Sequence, residues 1–180
     1  MVEKPLRLVR TAALTLTVFL SLVLRAADVP PTLELMVSHD RLSMDDVLDL
    51  EVRIVNSTKS DLWVFGDLRW GARAGLVLNV GPWERDGPLP LFLDHAEFTK
   101  EELTDRRSFV RLRPGSFIGR QRQVKVNDLV RKPGEYRVWI EYQSPLPAVA
   151  FDEPFWSSEK ASLTSRSLLL RVTRVSSQKN

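Results

Sequence analysis

The stretch that most constrains this chain is Pro133-Gly134-Glu135-Tyr136-Arg137-Val138-Trp139-Ile140-Glu141-Tyr142. A turn pair opens it, and strict alternation follows. Tyr136, Val138, Ile140 and Tyr142 fall on one face, and Arg137, Trp139 and Glu141 on the other. A period of two places one face in a core and the other toward solvent, which is a β-strand. Leu48, Leu50, Val52 and Ile54 repeat the pattern, with Asp49, Glu51 and Arg53 opposite.

Other segments read the same way. Leu33, Leu35 and Val37 alternate after Pro30-Pro31. Leu62 to Phe65, Gly75 to Val80, Ser108 to Arg113 and Ser167 to Val175 are short strands between turn residues. Phe117 to Val126 is long and mostly polar, with Arg120, Arg122 and Val124 opposite Gln121, Gln123 and Lys125. Charge of that density marks an edge or a solvated face. One short helix is expected near Thr99-Lys100-Glu101-Glu102, a capping box. Asn56-Ser57-Thr58 fits a glycosylation sequon and equally a turn after a strand.

Upstream of the alternating stretch, Leu129, Gly134 and Tyr136 stand in the spacing Leu-x4-Gly-x-Tyr. This resembles the tyrosine corner of immunoglobulin-like and fibronectin-III-like domains, here of a bacterial secreted kind. The resemblance implies an all-β, antiparallel two-sheet immunoglobulin-like sandwich of seven to nine strands, with at most one short helix. It also implies that Leu129, Gly134 and Tyr136 are structural. The Tyr136 ring would be buried and its hydroxyl bonded to backbone between Leu129 and Gly134. Trp63 or Trp70 would be the core tryptophan of such a fold.

The N-terminus addresses the chain elsewhere. Lys4, Arg7 and Arg10 precede the uncharged run Thr11 to Leu24, closed by Arg25-Ala26-Ala27. A basic start, an apolar core and small residues match a signal peptide. At 14 residues the run is short for a span, which needs about 20. Residues 1–27 are therefore read as an export signal and 28–180 as a single domain, with a periplasmic or extracellular destination. Leu24 and Arg25 make poor cleavage positions, so an uncleaved anchor stays open. With no cysteine in the chain, neither a lipoprotein's acylated cysteine nor a disulfide is available, which favours a bacterial exported protein.

Setting the signal aside changes the charge argument. Residues 28–180 hold 22 basic and 22 acidic side chains, so no global field draws nucleic acid or anionic lipid. Residues 28–105 carry sixteen acids against seven bases, and residues 106–137 ten bases against two acids. Pairing across neighbouring strands accounts for this most simply. A basic face for an acidic glycan or protein is the sharper alternative.

The residue types of catalysis are sparse. His39 and His95 stand far apart, and metal sites need three or four ligands together. There is no Gly-x-Ser-x-Gly elbow and no glycine-rich phosphate cradle. Asp45-Asp46, Glu101-Glu102 and Asp152-Glu153 are neighbours on turns rather than opposed carboxylates. No catalytic residue, cofactor or metal is assigned. The expectation is an exported binding or accessory module for an unknown protein or glycan partner, with oligomeric state open. A proteinase inhibitor of all-β type is the alternative, from a generic resemblance over residues 108–142, and a hydrolase comes last. The loop Gln143 to Glu159 is the candidate partner-binding element, through Phe151, Asp152, Glu153, Phe155 and Trp156. The competing expectation is that these aromatics fold back and close the core.

Overall fold

The computed structural model describes residues 30–71, 75–84, 89–91, 93–94, 97–145, 155–156 and 162–174. The export segment, His95, and Phe151, Asp152 and Glu153 lie outside the described residues.

The chain is mostly β. In order it forms β1 (Thr32–Val37), β2 (Arg41–Ser43), β3 (Val47–Val55), β4 (Leu62–Phe65), β5 (Gly75–Pro82) and β6 (Leu89–Leu91). Next come helix α1 (Lys100–Thr104), a 3-10 turn (Arg106–Ser108), β7 (Phe109–Leu112), β8 (Phe117–Lys125) and helix α2 (Val126–Leu129). The last elements are β9 (Gly134–Gln143), β10 (Leu163–Thr164) and β11 (Leu168–Thr173).

One sheet has the order β1-β3-β8, a second β2-β11-β9-β5-β6 with β10 also on β9, and β4 pairs β7 separately. The alternating residues of β3 and β9 supply the core. Leu48, Leu50, Val52 and Ile54 meet Tyr136, Val138, Ile140 and Tyr142 in one apolar cluster drawn from both large sheets. Polar residues take the opposite faces, as the period of two requires.

Three features depart from the sequence expectation. Eleven strands are present among the described residues rather than seven to nine, because β2, β6 and β10 are only two or three residues long. Runs that short carry no periodicity. Among the described residues the named strands pair antiparallel, except β2 and β11, which run parallel in the register Leu42 to Val172. A second helix, α2, turns the chain between β8 and β9 where a plain crossover was expected, and it buries Val126 and Leu129. The capping box on α1 is formed, with Thr99 and Glu102 each bonding the other's backbone N–H.

β8 is one of the two edge strands of its sheet, and its arginines reach sideways rather than pairing along the strand. Arg120 meets Asp67 at 2.8 Å, Arg122 meets Asp94 at 3.7 Å, and Arg111 of β7 pairs with Asp61. At these positions the basic block answers the acidic block. Trp70 is buried in the main core, while Trp63 is half-buried against a second cluster of Phe65, Phe109 and Phe155.

Candidate functional site

Leu129, Gly134 and Tyr136 lie where α2 leads into β9. The Tyr136 hydroxyl donates to the Lys132 carbonyl at 2.6 Å, and its ring is buried with Leu129 in the core. A Cβ on Gly134 would make ordinary van der Waals contact with that ring, at 3.6 Å. Burial raises the phenol's pKa above its usual value. Tyr136→Phe should cost about 1–2 kcal/mol, since it leaves the Lys132 carbonyl without this donor. An unchanged urea midpoint would show that the hydroxyl contributes nothing.

Two of the five loop residues named from sequence are described, and both are buried. Phe155 packs edge-on against Phe109, with centroids 5.0 Å apart, and Phe109 packs the same way on Phe65 at 5.2 Å. The Trp156 N–H donates to the Trp63 carbonyl at 3.0 Å, and Phe155 bridges to Trp63 in parallel. This segment is a lane beside β4. At these two positions the rings close the core instead of standing as exposed anchors, because the backbone pairing turns them inward.

Trp156 nevertheless borders a groove. It measures about 720 Å³ and runs along β1 from Pro30 to Met36, and Ser162 to Leu168 form its far wall. Its apolar lining includes Leu33, Leu35, Trp156, Leu163 and Leu168. Glu34 and Arg166 are exposed at its borders, and neither has an ion pair among the described residues. The Trp156 Nε1 is buried without a hydrogen-bond partner among the described residues.

The backbone of β1 gives this groove its character. Ser38 N–H donates to Asp49 C=O at 3.1 Å, in register with the pairing of β1 on β3. Antiparallel ladders alternate, so Thr32, Glu34 and Met36 also bond to β3. The N–H and C=O groups of Leu33 and Leu35 point the other way, toward the groove, and those of Val37 continue the same free edge just past its end. Among the described residues no strand pairs with that side of β1.

Two smaller depressions differ in chemistry. One, of about 570 Å³, lies on the outer face of the β1-β3-β8 sheet. There Gln123 donates to Asp49 at 2.8 Å and Gln121 to Glu51 at 3.3 Å, so its polar groups already satisfy one another. Phe117, 53% exposed beyond it, carries the Arg53 guanidinium at 4.6 Å from its centroid, so one ring face is taken.

The other, of about 300 Å³, lies among Asp67, Arg69, Trp70, Asp94, Glu97 and Arg120. Arg69 pairs there with both Asp67 and Glu102. Hydrogen bonding from Arg69, then from the Thr99 backbone, holds the Glu102 carboxyl down to about 2. A depressed carboxyl stabilises the fold above its unfolded value of 4.5, and that contribution disappears as pH falls from about 4.5 to about 2. Glu102→Gln should therefore unfold at lower urea than the parent at pH 7, with the gap closing below pH 3. A gap independent of pH would remove the ion pair as its cause.

His39 is exposed on a turn. Among the described residues no three histidines or carboxylates cluster as metal ligands, and no helix is long and apolar enough to cross a membrane. Of the paired acids, Asp46 caps its own turn by accepting from Ser43 N–H at 2.6 Å.

No protein-family model matches the chain, and no curated protein matches it. Solved structures with partial likeness include a β-glucosidase from Erythrobacter marinus, at 11% identity and a TM-score of 0.37. A β-glucosidase from Listeria innocua aligns at 15% identity with the same TM-score, and each alignment covers 79% of this chain and 16% of the enzyme. β-Glucosidase 3B from Thermotoga neapolitana aligns at 17% identity and a TM-score of 0.33, over 78% of this chain and 17% of that one. The chain thus spans about a sixth of the length of these enzymes, and likenesses at this level transfer neither fold nor activity.

Proposed function

We infer that this is an exported, non-catalytic binding or accessory module built on an immunoglobulin-like β-sandwich. Two sheets sharing one core, joined through a tyrosine corner, support the architecture. The basic start and apolar run at the N-terminus support export. The observation that carries the binding role is the groove beside β1. It combines about 720 Å³ of largely apolar wall with a strand edge whose main-chain groups are unpaired among the described residues. Concave apolar surface with a few polar groups is the ordinary form of a binding site.

Two measurements test this reading. Cell fractionation with N-terminal sequencing should find the protein outside the cytoplasm, beginning near Ala27 or Asp28. Intact Met1 in the membrane fraction would make the segment an anchor, and cytoplasmic recovery would overturn export. Incubation with a panel of secreted proteases should show no inhibition. Stoichiometric inhibition of one of them would replace the binding-module reading with a proteinase inhibitor.

A further inference from the structure

We propose that β1 accepts an extended peptide segment of a partner protein as an added strand, its side chains filling the groove in front of β10. This rests on the binding-module reading and names the partner's chemistry. Leu33, Leu35 and Val37 offer N–H donors and C=O acceptors at every second residue, the pattern that strand addition satisfies. Pro31, at the same parity, has no N–H, so the ladder ends there and the site fits a short segment.

A strand laid against β1 turns alternate side chains toward Trp156, Leu163 and Leu168, so the occupant carries apolar residues at every second position. Arg166 and Glu34 both stand at the rim without an ion pair among the described residues, so the occupant that complements them carries a carboxylate near Arg166 and a basic side chain near Glu34. A second copy fits less well. Pairing β1 with β1 of another molecule leaves each copy's Leu33 and Leu35 in its own core and the groove unfilled.

The test begins without a ligand. Amide exchange followed by NMR on the protein recovered from export should show Leu33, Leu35 and Val37 exchanging fast, with Glu34 and Met36, bonded to β3, exchanging slowly. Dodecapeptides selected from a displayed random library should share apolar alternation, an acid and a base. The best of them should slow the Leu33, Leu35 and Val37 amides by at least about tenfold.

Val37→Pro removes an outward N–H and no bond to β3, so it should keep the fold and weaken that peptide about tenfold or more. Arg166→Glu should weaken it as well. Amides already protected in the free protein overturn the proposal. Protection that grows with protein concentration assigns the edge to a second copy, and protection independent of concentration assigns it to another part of this chain. Peptides that bind without touching these amides leave the binding module standing and remove the edge as its site. A library that yields no binder overturns the peptide partner.

Discussion

Asn56→Leu is expected to destabilise the protein by about 3 kcal/mol, although the replacement is apolar and the site fully buried. Asn56 directly follows β3, has no exposed surface and uses both ends of its amide. Its Nδ2 donates to the Leu112 carbonyl at 2.8 Å and the Ser60 carbonyl at 2.9 Å. Its Oδ1 accepts from the Thr58 N–H at 3.0 Å and the Thr58 hydroxyl at 2.7 Å. Leucine would leave the buried Leu112 carbonyl and the Thr58 amide unmet, and such orphaned groups cost about 1–3 kcal/mol each.

Asn56→Asp separates the two ends of that amide. It keeps the acceptor toward Thr58 and turns a carboxylate oxygen on two carbonyls, so it should be at least as damaging at pH 7. Urea unfolding measures both variants. A loss below about 1 kcal/mol for leucine would mean that the surrounding turn rearranges to satisfy itself. The same burial removes Asn56 as a glycan acceptor in the folded protein, whatever its sequon.

Trp70→Ala should cost about 3–5 kcal/mol, the range for deleting a large buried aromatic. Trp70 is 2% exposed in the main core, with the Arg122 guanidinium 5.9 Å from its ring centroid. A tight backbone approach seats it. The Leu76 N–H donates to Arg69 C=O at 2.7 Å and the Gly71 N–H to Leu76 C=O at 3.1 Å. Gly75, the first residue of β5, has φ +96°, and a Cβ there would lie 2.2 Å from the Arg69 carbonyl oxygen.

The Trp70 Nε1 has no hydrogen-bond partner among the described residues. Trp70→Phe therefore loses volume but no bond, and should cost only about 1–2 kcal/mol. Denaturant midpoints of the two variants decide this. Phenylalanine as costly as alanine would show that the indole N–H is bonded after all.

The strands that carry the core were legible because each writes its environment locally. Leu48 to Ile54 and Tyr136 to Tyr142 alternate without interruption, and burial of one face leaves only one phase for each. The capping box at Thr99 and the edge character of β8 were readable for the same reason, since each lies within a few neighbouring residues.

What pairs with what was not legible. β2 is three residues long and lies parallel to β11, some 130 positions away, and nothing in Arg41-Leu42-Ser43 names that partner. For Phe155 and Trp156 the sequence supports both recognition anchors and a lid on the core, because aromatics beside acids in a proline-rich loop fit either side of a surface. Only the bond from Trp156 N–H to Trp63 C=O turns them inward. The groove arises in the same way. The sequence by itself determined that Leu33 and Leu35 alternate in a strand behind two prolines. Tertiary structure alone decided that β3 bonds one side of that strand and that the two-residue β10 lies across from the other. Side-chain periodicity reports burial, whereas the partner of a backbone edge depends on contacts between segments far apart in the chain.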